Sequence, residues 1–233
     1  MKVLSLERQE LIDALVAETV MGGITAGLLE KDEHLTDALR PHLQIELTAR
    51  SPVLVTVTRQ IGSLADHLAG RQDQVCSVPT VAIAETVAAK VLPFLRRYAQ
   101  HRASPVQAEA KWDTALVRHI YDAHCVYRRH PDIVAMAAKA FPEIVASDQN
   151  EFGGQFPDFA SAALPVLSGA LKQASGDAQI QVEYSKNLIP LIYGNEAPEF
   201  AEAFESFEAV AGSLLMALQE SAATDALQDT TQG

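Results

Sequence analysis

The stretch PVQAEAKWDTALVRHIYDAHCVYRRH, residues 105–130, decides how the rest of the chain is read. It holds the single tryptophan, Trp112, three of the seven histidines (His119, His124, His130) and one of the two cysteines, Cys125. Ser104 followed by Pro105 is a helix start: the serine hydroxyl can accept from a free N–H of the first turn, and proline there forfeits no hydrogen bond. Trp112, Leu116, His119, Ala123, Val126 and His130 then recur at steps of 4, 3, 4, 3 and 4. That spacing lines them along one side of a helix, the side that packs inward. Arg128 and Arg129 close the run, where cations suit the negative end of the helix dipole.

Prolines recur outward from this segment at 52, 79, 105, 131 and 157, with gaps of 27, 26, 26 and 26. The intervening sequences are unlike one another, so the reading is helices of similar length restarted at prolines, not a true repeat. A rod of about 20 residues is roughly 30 Å long. Helices are expected at 5–30, in a broken form at 33–50, at 52–69, at 79–102, at 132–146, at 158–174 and 177–193, and at 198–220. In 52–69, Val53, Val57, Ile61, Leu64 and Leu68 keep a helical step, which is weighed above the strand-like alternation of Val53–Thr58. Residues 71–78 and 147–156 read as loops. In the last helix Phe200, Phe204, Phe207, Ala211, Leu214 and Leu218 repeat the 4-3 spacing. The expected fold class is all-α, a bundle of about eight to ten helices with short proline-started connections. Residues 1–233 are read as one helical domain, with a subdivision into 1–103 and 104–221 as the alternative and 222–233 as a frayed tail.

Lys and Arg number 18 against 30 Asp and Glu, a net charge of −12. A field of that sign repels phosphate backbones and anionic lipid, so neither nucleic acid nor a membrane surface is an expected partner. The uncharged run Phe159–Leu171 is 13 residues long, short of the ~20 that a spanning helix needs. Glu7 and Glu10 stand where an export signal needs an apolar core. Two cysteines are too few for a disulfide framework, which points to a cytoplasmic location with reduced thiols.

His119 and Asp122, three residues apart on one helix, suit an imidazole oriented by a carboxylate for ligand contact or proton transfer. The competing reading is a locally satisfied buried histidine with Asp122 paired to Arg118. Glu7, Glu10, Glu30 and Glu33 loosely resemble the paired acids of all-helical nucleotide pyrophosphohydrolases, but that pattern ends in Asp within an apolar helix, and a solvated charge run is the preferred reading here. Cys125 has no base in evident register for nucleophilic work. The basic ends Arg96–Arg102 and Arg128–His130 can hold an anion, although helix-end charge complementarity also accounts for them. No metal signature appears, and no cofactor is expected.

Tyr127-Arg-Arg-His130-Pro131-Asp-Ile-Val resembles the His-Pro step between early helices of globins, and Phe207-Glu-Ala-Val-Ala-Gly-Ser-Leu-Leu is similar to a late globin helix. Such a resemblance implies haem on a proximal histidine, yet no His follows His130 and position 137 is Ala where an aromatic would stand. The same His-Pro step is similar to the ligand-binding halves of helical transcriptional regulators, but no helix-turn-helix precedes it. No family is recognised on these grounds.

The functional expectation is a non-enzymatic binding or interaction protein that buries a small apolar ligand or a partner protein's helix among its stripes. Trp112 would be the contact surface, His119 and Asp122 the polar fixers, and Phe200, Phe204 and Phe207 a second docking face. The same stripes suit a homodimer. The alternatives are an all-helical hydrolase-like enzyme with an acidic metal site, built on the four glutamates or on His119 and Asp122, and a haem-free sensory domain of globin-like shape.

Overall fold

β-Branched residues decide the first described element. In the computed structural model, residues 51–62, 70, 75–103, 113–192 and 197–231 are described. Strand β1, Val57–Ile61, carries the sequence VTRQI and pairs with β2, Cys76–Thr80, in a two-stranded sheet. This corrects the helix expected at 52–69 and the loop expected at 71–78: a run rich in Val, Thr and Ile prefers the pleated conformation once a partner strand is at hand. Pro79 lacks an N–H to donate, which a two-stranded sheet tolerates because each strand is an edge. Gly70, between the strands, adopts φ +63, a backbone that L side chains rarely take up.

The chain divides into two compact units, Met1–Ser51 with Thr58–Thr80, and Pro52–Val57 with Val81–Gly233. All of the small sheet but Val57 belongs to the first. The helices expected at 5–30 and 33–50, with Glu7, Glu10, Glu30 and Glu33, lie outside the described residues, as does Trp112.

Seven α-helices are described, all in the second unit, so the fold is all-α apart from the small sheet. They are α1 (Ile83–Ala103), α2 (Val117–Arg129), α3 (Val134–Phe152), α4 (Pro157–Ser161), α5 (Ala163–Ser175), α6 (Ala178–Glu183) and α7 (Phe200–Thr231). Helix α1 packs on α2, α3 and α5, and α7 covers α2, α3 and α5. The buried core runs through Val91, Phe94 and Leu95 of α1, Ile120 and Ala123 of α2, Phe141 and Ile144 of α3, Leu167 of α5, and Phe207 and Leu214 of α7. Alanines such as Ala123, Ala137, Ala174 and Ala211, all fully buried, let these helices approach closely.

Several boundaries differ from the sequence reading: the helix expected at 79–102 begins only at Ile83, and the one expected at 158–174 is split at Ala162. The helix expected over residues 105–130 does not include Asp113, which is extended (φ −76, ψ 96) and caps a short 3-10 turn, Thr114–Leu116, that leads into α2. Asp113 Oδ1 accepts from the Ala115 N–H at 3.0 Å, a local bond that competes with helix continuation. Helix α3 passes through Pro142 and absorbs much of the loop expected at 147–156. Its buried residues Ala137, Phe141, Ile144, Val145 and Asp148 hold the helical period across the proline, so tertiary burial outweighs the proline's local cost of about 3 kcal/mol. Further on, the segment 177–193 is helical only in α6, which passes into a π turn at Tyr184–Leu188 and a 3-10 turn at Ile189–Leu191.

Two polar ties hold α1 in place within this unit. Arg96 Nε bonds Asp148 Oδ2 of α3 at 2.7 Å, and its guanidinium lies over the Phe152 ring at 4.0 Å. Two residues further along α1, the Tyr98 hydroxyl donates to Asp177 Oδ2 at 2.9 Å, while Asp177 caps α6 by accepting from the Gln179 N–H through its other oxygen.

Candidate functional site

Helix α1 carries a single lysine within an otherwise apolar stretch, Lys90 between Ala89 and Val91. Its neighbours Val87, Val91 and Phe94 are buried, so the core holds this face of α1 against α2. Lys90 Nζ reaches Asp122 Oδ2 of α2 at 2.9 Å, with both side chains roughly a third exposed. One face along, seven residues later, Arg97 Nη2 meets Asp113 Oδ2 at 2.8 Å. His119 lies among these four charges.

The His119 imidazole is mostly buried, and its Nδ1 is shielded from solvent with no hydrogen-bond partner. Burial pushes its pKa down to about 4; the Lys90 and Arg97 charges act in the same direction, and Asp122 and Asp113 oppose them. At neutral pH the ring is therefore uncharged, with one nitrogen unused. This arrangement differs from both sequence readings of Asp122. The carboxylate pairs with neither His119 nor Arg118 but with Lys90, 32 residues earlier in another helix.

The geometry offers two cations, two carboxylates and a neutral imidazole on one side of the α1–α2 pair. Half-exposed ion pairs contribute only about 0–1 kcal/mol, so folding does not depend on them and they can open to exchange partners. Lys90 and Arg97 are suited to phosphate oxygens, Lys90 as a point charge and Arg97 as a fork. No group of three or more His, Cys, Asp or Glu side chains able to hold a metal occurs among the described residues, so no metal is assigned to them.

The sequence-predicted site residues separate in the fold. His119 and Asp122 come together in the cluster. Phe204 and Phe207 are in the core, Phe207 completely so, and Phe200 is half-buried against Tyr184; the first two present no face to a docking partner. Lys90 and Asp113 had no part in the sequence reading, and Arg97 entered it only within the basic end Arg96–Arg102. Their one signal was the placement of Lys90 and Arg97 seven residues apart on the same face of an apolar helix.

The His119 environment gives a pH prediction. The unfolded chain takes up this proton near pH 6.5 and the folded chain only near 4. Between those values the unfolded state binds more protons, so stability falls as the pH drops through the window. His124, also shifted down by burial, adds to the same slope. Thermal melts from pH 7 to 4 are expected to show a falling Tm, with a shallower fall in His119→Gln.

No helix among the described residues is long and apolar enough to cross a membrane. No curated protein and no solved structure matches the chain. The family model described as nucleotidyl transferase AbiEii toxin, type IV toxin–antitoxin system, matches residues 18–206. That match overturns the expectation of a non-enzymatic bundle that buries an apolar ligand or a partner helix, and with it the hydrolase-like and globin-like alternatives, because the family is one of transferase toxins. Amphipathic stripes report how helices pack and carry no information on the reaction. With the match spanning most of its length, the chain belongs to the nucleotidyl transferase AbiEii toxin family of type IV toxin–antitoxin systems.

Proposed function

We propose that the protein transfers a nucleotidyl group from a nucleoside triphosphate to an acceptor, and that the Lys90–Asp122–His119 cluster binds the nucleotide's reacting end. The observation that carries this reading is the Lys90–Asp122 pair at 2.9 Å, beside a buried imidazole nitrogen with no partner, in a chain of this family. In the reaction an acceptor oxygen attacks the α-phosphorus, the bond to the bridging oxygen of the β-phosphate breaks, and pyrophosphate leaves with the electron pair. The acceptor's proton passes to solvent or to a nearby base. Lys90 and Arg97 would neutralise triphosphate oxygens as charge develops on the leaving group. Freed from Lys90, Asp122 can accept a hydrogen bond from the acceptor hydroxyl or the ribose. His119, neutral at pH 7, offers a buried acceptor or donor to the nucleotide. The net charge of −12 does not oppose this, because a local pair of cations on a low-dielectric wall sets the potential that a bound phosphate meets. An antitoxin of the same two-component system is the expected protein partner.

The test is label transfer from α-labelled nucleoside triphosphates to cellular RNA and protein fractions by purified protein. Lys90→Ala and Asp122→Asn are expected to lower the rate by about 10²–10³-fold, the usual loss when one preorganised electrostatic group is removed, with melting temperatures near wild type. Equal rates in wild type and both variants would remove the cluster from the reaction.

A further inference from the structure

The end of α2 forms a second polar concavity, on the opposite side of that helix from His119. Tyr121, Cys125, Arg128 and Arg129 of α2 face Pro198 and Glu202 at the start of α7 across a pocket of about 360 Å³. That volume lies within the range of small-molecule sites, about 300–1,000 Å³. His124, buried behind it, is held by Ser206 Oγ at 2.9 Å from Nδ1, which fixes the inner wall.

The arginines here differ from those of α1. Arg96, Arg97 and Arg102 of α1 each meet a carboxylate. Arg128 and Arg129 meet none among the described residues, although Glu202 lines the same pocket. Charge complementarity at a helix end explains why arginines sit there; it does not explain a walled cavity between them. Consecutive positions on a helix point about 100° apart, so the two guanidinium groups approach the cavity from different sides. A carboxylate can be saturated by one guanidinium fork, whereas a phosphate offers oxygens to both and to a third donor. The Tyr121 hydroxyl lines the same pocket; hydrogen bonding with Cys125, then burial, raises its pKa, so it keeps its proton.

We propose that this pocket is an anion site that takes a phosphate-bearing ligand, held between Arg128 and Arg129 with the Tyr121 hydroxyl as the third donor. The site is separate from the Lys90–Asp122 cluster and stands whether or not that cluster transfers nucleotides. A free mononucleotide and the terminal phosphate of an oligonucleotide share the required chemistry.

Cys125 on the pocket wall and exposed Cys76 make a built-in assay. Alkylation of each thiol by anionic iodoacetate and neutral iodoacetamide is followed by peptide mass spectrometry on the full chain, with and without inorganic pyrophosphate. The preference for iodoacetate is expected to be about tenfold greater at Cys125 than at Cys76, to fall when pyrophosphate is added, and to vanish in Arg128→Gln/Arg129→Gln. In parallel, pyrophosphate is expected to raise the Tm of the wild type and of Lys90→Ala/Asp122→Asn, and to leave Arg128→Gln/Arg129→Gln unmoved. AMP protecting at lower concentration than a 5′-phosphorylated oligoribonucleotide assigns the free nucleotide; the reverse order assigns the polymer end. No charge preference at Cys125 together with no Tm rise, or either effect surviving the double arginine substitution, overturns the proposal. Loss of the effects only in Lys90→Ala/Asp122→Asn would overturn it too, by placing the phosphate at the other cluster.

Discussion

Asp148→Ala is expected to cost about 3–5 kcal/mol of folding stability, as a broken buried ion pair does. Arg96 is 5% exposed and Asp148 1%, and their 2.7 Å bond ties α1 to α3 across 52 residues of sequence. Removing the carboxylate leaves a guanidinium in the core against the Phe152 ring at 4.0 Å, and a ring face offsets a small part of that desolvation. Domains hold only about 5–15 kcal/mol in all, so the variant should unfold at far lower denaturant. Equilibrium unfolding in urea measures the change. The double substitution Arg96→Met/Asp148→Leu should recover most of it, since it removes both charges and keeps the volume. A loss below about 1 kcal/mol for Asp148→Ala would mean that Arg96 finds water or another acceptor once the carboxylate is gone.

Phe207→Ala should be comparably severe, about 3–5 kcal/mol. The ring is fully buried, meets Phe94 edge-on at 5.0 Å between centroids and lies 5.7 Å from Phe204. It joins α7 to α1 at the centre of the unit, where the surrounding helices cannot collapse into the space left behind. Phe200→Ala, at a half-buried position on the rim of the same aromatic row, should cost clearly less. Urea unfolding of the two variants side by side checks the order. Equal and small losses would show that the row is peripheral, as the sequence reading of these phenylalanines as a docking face requires.

The parts of the fold legible in the sequence were those in which local period and burial agree. Helix α7 was read from Phe204, Phe207, Ala211 and Leu214, and these residues are buried in it. The misreadings arose where a local cue and a tertiary partner pulled in different directions. Ser147 to Glu151 are polar and read as a loop, yet Asp148 continues the inward stripe of α3 because Arg96 waits for it in another helix. Val57 and Ile61 kept a helical step while the alternation read over Val53–Thr58 reached only the first two residues of β1, and the partner strand Cys76–Thr80 decided between the two. Asp113 is extended at a position where the Pro105 start and the Trp112 stripe predict helix.

Half of the candidate site was legible for a similar reason. His119 and Asp122 share a helix, so spacing alone brings them to one face. Lys90 belongs to α1, and no periodicity links it to Asp122; the pair exists only through the packing of α1 on α2. The reaction was not legible at all. A search for compact catalytic signatures fails when the groups that meet are contributed one by one by separate helices, and when a family match rests on a pattern spread over residues 18–206.

The most direct measurement is an NMR titration of the full chain, labelled at histidine, with a nucleoside triphosphate. His119 has a ring nitrogen inside the cluster with no partner, so its resonances report what enters. If the Lys90–Asp122–His119 cluster receives the reacting end of the nucleotide, the His119 ring signals shift saturably, and the shift is lost in Lys90→Ala. Saturable nucleotide binding that leaves the His119 signals in place, or a shift that persists unchanged without the Lys90 amine, would contradict the account.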